Sequence, residues 1–501
     1  MRKNLLIVLA ALMIVAVPLA ASVEEPNHEA TSDLTQDALL EAIEAGKFGL
    51  KDLRQMGLLV FRTPFNSLDG LGDGPFELSE WQSPEGPVAF GHRATLQGNG
   101  QHLRVAGLDA QSCNECHGFV KHSTLPPELG LAGVGGVVQN AIILPSLIDV
   151  ADSWDDRVSY QPFHVPDLPL EADGVADFNG RFANPPFLYG GGGVELLAKE
   201  MTADLQNLLA AAESAPAGAV VSLDTHGVNF GYIVSYGGGN VEIHNEGIDE
   251  DLVVKPFGRK GENFSMRDFD RGAMQFHFGI QPEELFGLED EDWDGVTREV
   301  SIAEMSVLHV FDVSNPRPLK IKSNSVELAQ KQDRGKEIFK DVGCTACHMP
   351  QLVTYRPNVP VAYPEIPEDP WANVYYEVSL PWVGFDKAST GGVIVPLYAD
   401  LKRHYMGPGL EEDFDAFHGS DIGNGEFTTA RLWGIADTEP YLHDGRATTL
   451  HQAISMHGGE AQSARDNYLA LPEDDQRALI GFLKTLRTPD KPNEDLLPIN
   501  L

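Results

Sequence analysis

Residues 344–348 read Cys344-Thr345-Ala346-Cys347-His348, close behind a segment, Val326 to Asp341, whose Gly335, Ile338 and Phe339 suit one packed face of a helix. Two thiols one helical turn apart, with a histidine next in line, form the c-type haem attachment pattern. The thiols can bond the two vinyl groups of one haem, and the histidine then brings its imidazole to the iron as proximal ligand. Further on, Pro472 suits the first turn of another helix. Glu473, Asp474 and Asp475 complement its dipole, and Leu479, Phe482, Leu483 and Leu486 recur at i, i+3, i+4 and i+7. A first helix, the motif and a final amphipathic helix predict a cytochrome c domain over residues 321–501, its terminal helices crossing over one haem edge.

The same pattern occurs once more, as Cys113-Asn114-Glu115-Cys116-His117, and the two copies use all four cysteines of the chain. A redox Cys-x-x-Cys has no need of the histidine. Structural disulfides would leave both histidines unexplained. Zinc pairs usually lie about 15–20 residues apart, whereas these are more than 200 apart. The reading is two covalently bound haem c groups, on Cys113 and Cys116 and on Cys344 and Cys347, with His117 and His348 as iron ligands.

The 501 residues include 36 Lys+Arg and 74 Asp+Glu, a net charge of −38. So strong an acidic balance excludes binding to nucleic acid driven by phosphate contacts. It also disfavours an anionic membrane surface. It serves solubility first and the steering of a basic protein partner second. Arg2 and Lys3 precede an apolar run from Leu5 to Ala20, and small residues Ala20, Ala21 and Ser22 follow. These are the parts of a secretory signal peptide over residues 1–22. The run is short of the roughly 20 residues a membrane span needs. The expectation is an exported, soluble, periplasmic protein with no stable span after cleavage.

Between signal and second motif, residues 23–320 read as an expanded N-terminal haem domain. An amphipathic segment runs from Leu34 to Gly46, and a helical pattern from Val194 to Ala212. Residues 218–256 differ: Val220-Val221, Tyr232-Ile233-Val234 and Val241-Glu242-Ile243 are β-prone, and Gly237-Gly238-Gly239-Asn240 reads as a hairpin turn. Asn315-Pro316-Arg317-Pro318 marks a boundary. The Gly190–Gly193 run lacks the Lys-Ser/Thr of a phosphate loop, so close backbone packing is its expected use. The whole is expected to be mainly α: two cytochrome c-like haem domains with long loops, and a small β-rich insert in the first.

Several stretches resemble the di-haem oxidoreductase family, relatives of bacterial di-haem cytochrome c peroxidase and of the methylamine-utilisation di-haem enzymes. They are Arg334-Gly335 through Cys344–Pro350, then His404-Tyr405-Met406-Gly407-Pro408-Gly409-Leu410, Leu432-Trp433-Gly434, Tyr441-Leu442-His443-Asp444-Gly445-Arg446 and His457-Gly458-Gly459-Glu460-Ala461. The N-terminal likeness is patchier: Phe65, Asp69–Gly72, Arg181, Pro185-Pro186 and Gly190–Glu195. Phe257-Gly258-Arg259-Lys260 has Arg259 where the family usually has tryptophan, and about 40 residues separate Gly72 from Cys113.

The resemblance implies a peroxidase-like oxidoreductase. Electrons from a small redox protein would enter at the C-terminal haem and pass to a reactive N-terminal haem, where an oxidant such as hydrogen peroxide is reduced. In the peroxidase relatives a methionine fourteen residues after the Tyr-x-His-Asp-Gly histidine is the distal ligand. Fourteen residues after His443 stands His457, so the resemblance implies a His348/His457 pair, with Met456 and Met406 as alternatives. His443 and Arg446 are expected at the haem edge, where they can pair with a propionate. The relatives use a distal glutamate to move the peroxide proton; Glu195 and Glu200 are the candidates here. The first haem's distal ligand is unnamed, with His92, His102, His122 and His164 nearby in sequence. A calcium ion between the haems, as in some relatives, stays open. So do a purely electron-transferring cytochrome and a relative that oxidises a partner protein.

Overall fold

A computed structural model describes residues 34–66, 68–71, 112–117, 142–147, 178–183, 188–290, 295–411, 422–439, 441–490 and 492–496. The expected signal peptide, His92, His102, His122, His164 and Pro185-Pro186 lie outside them.

Helix α1 spans Gln36–Glu44, and the Thr35 hydroxyl accepts the Ala38 N–H at its start. Helix α2 spans Leu50–Arg62; its Leu53, Leu58 and Phe61 are buried. The helix read from Val194 to Ala212 is longer at both ends: α3 covers Gly191–Ser214. Helix α4 spans Met266–Ala273, and α5 spans Ile302–Val313. Ser301 and Glu304 close a capping box at the start of α5, satisfying two backbone donors reciprocally. From Ala303 to Val313 every residue of α5 is buried, polar ones included. Helices α2 and α5 cross where Gly57 lies against α5: a Cβ there would stand 2.2 Å from the Val307 oxygen.

The C-terminal part begins with α6, Val326–Asp341, as the sequence predicts. It crosses the late helix Glu473–Leu483, and Pro472 is the N-cap of that helix. Ile338, Phe339, Leu479, Phe482, Leu483 and Leu486 are buried together. Each such apolar side chain gives about 1.5–3 kcal/mol on leaving water. Phe339 meets Phe482 at 5.5 Å between ring centroids and His348 at 6.3 Å, so this small core reaches the attachment motif.

The fold differs from the expected mainly α architecture of two cytochrome c-like domains. Among the described residues helix accounts for 39% and strand for 17%, and no cytochrome-like domain is evident there. The strands form several small sheets, each of two or three strands among the described residues. One is the three-stranded meander β1 (Val220–Thr225), β2 (Val228–Gly237) and β3 (Asn240–Asn245), where the sequence placed β-prone runs. Others went unread. Strands β4 (Asn358–Ala362) and β5 (Val374–Ser379) pair antiparallel. So do β6 (Arg403–Tyr405) and β7 (Glu426–Thr428). The short β-branched runs of these connections pair locally, and Val359, Val361 and Val378 turn into the main core. That core also holds Val393, Leu397 and Trp433 beside the helices of the first half, so it draws on both sides of residue 320.

Candidate functional site

Both Cys-x-x-Cys-His motifs close the same local turn. The His348 N–H donates to the Cys344 oxygen at 3.0 Å, and the His117 N–H to the Cys113 oxygen at 2.9 Å. Cys344 to Ala346 is a single helical turn, as is Cys113 to Cys116. Cys113, Cys344 and Cys347 are free thiols. Nearby burial pushes the Cys344 thiol up to about 12.

His348 faces His457. The ring centroids are 6.5 Å apart and the planes inclined by 51°. Nδ1 of His348 bonds the Tyr398 oxygen at 3.0 Å, and Nδ1 of His457 the Ala453 oxygen at 2.8 Å. A ring nitrogen bonded to a carbonyl oxygen carries the proton, which leaves the lone pair on Nε2. Burial, with the neighbouring His457, pushes His348 down to about 4, and burial lowers His457 too. Both rings are thus neutral at pH 7, the ligating form. An iron about 2 Å from one nitrogen of each ring holds the ring centres about 6 Å apart. The donor set and spacing fit one iron between the two imidazoles.

The turn that carries His457 follows the helix Leu450–Met456 and is clamped from beside. Gly459 has φ +48°, and a Cβ on it would lie 2.1 Å from the Tyr405 oxygen of β6. The Glu460 carboxylate accepts the Tyr405 N–H at 2.9 Å and meets His404 Nδ1 at 2.7 Å, while His404 Nε2 meets Asp400 at 2.9 Å. Burial opposes charge on His404, but its hydrogen bonds to Asp400, Cys347 and Glu460 push it up to about 11, so it is an imidazolium beside the motif. Of the alternative ligands, Met456 is 38% exposed, and Met406 sits in the chain leaving β6 with its N–H on the Gly425 oxygen.

His443 stacks on Phe427 at 4.5 Å, and the Lys260 ammonium lies 3.9 Å from the same ring's centre. Arg446 is paired with Asp444 and donates to the Gly409 oxygen at 3.1 Å. At the first motif, Phe61 of α2 lies 6.5 Å from the His117 ring and 5.4 Å from Phe311 of α5.

The two glutamates occupy different worlds. Glu195, one turn into α3, is fully buried. Its carboxylate accepts the Met266 N–H at 2.9 Å and meets His309 Nε2 at 3.0 Å and Lys199 Nζ at 2.7 Å. Against the cost of burial, His309 and Lys199 hold it down to about 2. Glu200 accepts the N–H groups of Tyr355 and Arg356 at 2.7 and 2.9 Å and stands 3.4 Å from His226. There burial wins over those two hydrogen bonds and pushes it up to about 7.

The glycine run sets α3 in place. Gly190 caps it at φ +75°, with Trp433 where a Cβ would go, and a Cβ on Gly192 would stand 2.1 Å from the Val313 oxygen. Close packing, as the sequence suggested, carries Glu195 into the interior.

Sequence reasoning missed the groups around Glu195. Lys199 Nζ also reaches Glu365 at 3.2 Å and the Pro360 oxygen at 2.8 Å. Glu195, His309 and Glu365 converge closely enough to hold a metal ion, as do Cys347, Asp400 and His404. In the first group the Lys199 ammonium already stands against both carboxylates. The Glu195/Lys199 spacing of i, i+4 on a helix was a usable signal; His309 and Glu365 lie too far off in sequence for one.

Residues 384–486 match the family described as di-haem oxidoreductase, putative peroxidase, the family that the C-terminal motifs resemble. A cytochrome-c peroxidase, IdrP1, of Denitromonas iodatirespirans is 25% identical over 232 residues, 43% of this chain and 57% of that protein. A second, IdrP2 of Pseudomonas sp. (strain SCT), is 25% identical over 183 residues, 33% of this chain and 42% of that protein. The chain thus spans about half the length of the curated relatives it matches. Among solved structures, a MauG-like protein associated with microbial copper homeostasis is 16% identical at a TM-score of 0.24, over 46% of this chain and 68% of that one. No described helix is long and apolar enough to cross a membrane.

Proposed function

From the match of residues 384–486 to the di-haem oxidoreductase family, we propose that this chain is a periplasmic peroxidase-like enzyme holding two haems covalently, on Cys113 and Cys116 and on Cys344 and Cys347. The observation that carries the reading is the facing pair His348 and His457 beside the second motif, spaced for one iron. Electrons from a small redox protein enter at the His348 site and leave at the His117 site to hydrogen peroxide. Peroxide takes two electrons and two protons and becomes two waters. Bound haem supplies one-electron redox chemistry and, where a distal position is open, a place for the oxidant.

The chain's own residues do the rest. His348 and His457 would hold the second haem's iron through two imidazoles, and such a haem would serve electron transfer over oxidant binding. His443 and Arg446 line the same region and suit the anionic propionates. Glu200, titrating near neutrality, has the pKa of a general acid at pH 7. Glu195 is a fixed anion at that pH and serves to orient its neighbours. The acidic surface suits a basic electron donor.

Electron paramagnetic resonance of the purified protein, oxidised and then half-reduced, with and without peroxide, tests this. A high-spin signal that peroxide consumes is expected. Two low-spin signals indifferent to reduction and to peroxide would make the chain an electron carrier instead. Mass and haemochrome spectra should give two thioether-bound haems per chain, and one after Cys344→Ala and Cys347→Ala together.

A further inference from the structure

One histidine outside the facing pair His348 and His457 joins the supports of both rings. His404 of β6 meets the Asp400 carboxylate through Nε2 at 2.9 Å and the Glu460 carboxylate through Nδ1 at 2.7 Å. A neutral imidazole has one N–H to give, so a ring with both nitrogens donating to carboxylates carries two protons and a positive charge. Such charge-assisted hydrogen bonds are about twice as strong as neutral ones. The remaining carboxylate oxygens are engaged as well: Asp400 Oδ1 accepts the Lys402 N–H at 3.0 Å, and Glu460 Oε1 accepts the Tyr405 N–H at 2.9 Å. Glu460 is half-exposed, but the other two side chains are sheltered, His404 at 12% and Asp400 at 5% exposed.

Each arm of this bridge leads to one ring of the pair. Asp400 stands two residues after Tyr398, whose carbonyl oxygen orients His348. Tyr398 has φ +55° and Leu401 φ +65°, left-handed values uncommon for side chains of this size. Such backbone persists where its surroundings over-determine it. Glu460 stands three residues after His457, and the two glycines between them lie against the chain of β6. A Cβ on Gly458 would stand 2.8 Å from the Met406 oxygen, and one on Gly459 2.1 Å from the Tyr405 oxygen. Strand β6 is itself anchored to the first half of the chain. The Arg403 N–H donates to the Gly247 oxygen at 2.9 Å, its guanidinium pairs with Asp249, and Lys402 Nζ reaches the Asn229 oxygen at 2.8 Å. The His457 ring is oriented by the Ala453 oxygen of its own helix. That bond travels with the turn, so the turn's place relative to His348 is set by contacts between segments, of which the His404 bridge is one.

We propose that His404 is a positioning residue for the second haem: its paired bonds to Asp400 and Glu460 hold the turn that carries His457 opposite His348, and so keep that iron closed to other ligands. The proposal rests on the reading of His457 as a ligand of that iron. His404 acts through Glu460 and takes no part in ligation. Breaking the bridge frees the turn, and the position His457 leaves becomes open to an added ligand. The bonds matter here more than the charge. A glutamine at 460 can accept the Tyr405 N–H with its oxygen and donate its amide N–H to Nδ1 of a neutral His404, whose Nε2–H still reaches Asp400.

Spectra of the oxidised holoprotein, with and without added imidazole, test this. Wild type and Glu460→Gln should share one low-spin signal for the second haem. Glu460→Ala should add a high-spin share to it and bind imidazole at the second haem at least about tenfold more tightly, the worth of one hydrogen bond to a charged group. His404→Leu, which keeps the bulk and removes both arms, should do the same and serves if Glu460→Ala fails to fold. Hydrogen exchange at the Tyr405 N–H should quicken in Glu460→Ala and stay slow in Glu460→Gln. Wild-type spectra and imidazole affinity in Glu460→Ala and His404→Leu overturn the proposal. So does a Glu460→Gln protein as open to imidazole as Glu460→Ala. If His457→Ala leaves the spectrum unchanged, the ligand reading fails and the proposal with it. If His457→Ala turns the second haem high-spin and Glu460→Ala does not, the bridge alone fails.

Discussion

His348 and His457 stand with ring centroids 6.5 Å apart, each holding its Nδ1 on a backbone carbonyl oxygen and so keeping Nε2 for a ligand. The two carbonyls, of Tyr398 and Ala453, belong to separate segments. Different parts of the chain therefore orient the two rings.

The first prediction follows. His457→Ala should convert the second haem from a low-spin to a high-spin or methionine-bound absorption spectrum and raise its reduction potential. Added imidazole should restore the low-spin bands. A spectrum identical to wild type would remove His457 as ligand.

A second prediction concerns the crossing of α6 with the helix Glu473–Leu483. A Cβ on Gly335 would lie 1.9 Å from the Ala478 oxygen, a backbone atom that cannot turn aside. Gly335→Val should force the helices apart and cost about 1–3 kcal/mol or more. Chemical denaturation should show a lower midpoint, and the His348 site should lose haem more readily, since Phe339 ties this crossing to His348.

The parts of this molecule legible in the sequence are those whose signal is local. The attachment motifs, α6, the late helix after Pro472 and the β1–β3 meander each depend on residues within a few positions. The family resemblance offered His457 as a candidate ligand by counting from His443, and the fold sets its ring near that of His348. The two-domain cytochrome picture failed because β4 to β7 are short valine-rich or mixed runs inside Pro- and Gly-rich connections, where pairing is decided by a distant partner. His309 and Glu365 were illegible for the same reason. Each is an ordinary polar residue until folding puts it beside α3.

Glu200 gives a pH-dependent prediction. Its carboxyl is pushed up to about 7 in the folded protein, chiefly through burial, against 4.5 for an unperturbed glutamate. The folded state therefore holds a proton that the unfolded state has already lost between these values. By linkage this share of stability falls as pH rises from about 4.5 to 7, at up to about 1.4 kcal/mol per pH unit. Glu200→Gln should flatten the pH dependence of unfolding in that window relative to wild type. Parallel curves for the two proteins would show that Glu200 does not titrate there.

Lys199 supplies the last prediction. Its ammonium sits 2.7 Å from Glu195 and 3.2 Å from Glu365 with 4% of its surface exposed. Lys199→Met keeps the apolar stem but leaves two buried carboxylates with only His309 at Glu195 and the charge of Arg267 near Glu365 to offset them. Breaking a buried pair on one side costs about 3–5 kcal/mol, and the denaturation midpoint should drop accordingly. Glu365→Gln added to Lys199→Met should recover part of the loss, because it removes one of the stranded charges. An unchanged midpoint in the single variant, or a double variant worse than the sum of the two changes, would show that the carboxylates are already neutral and that Lys199 holds no charge balance there.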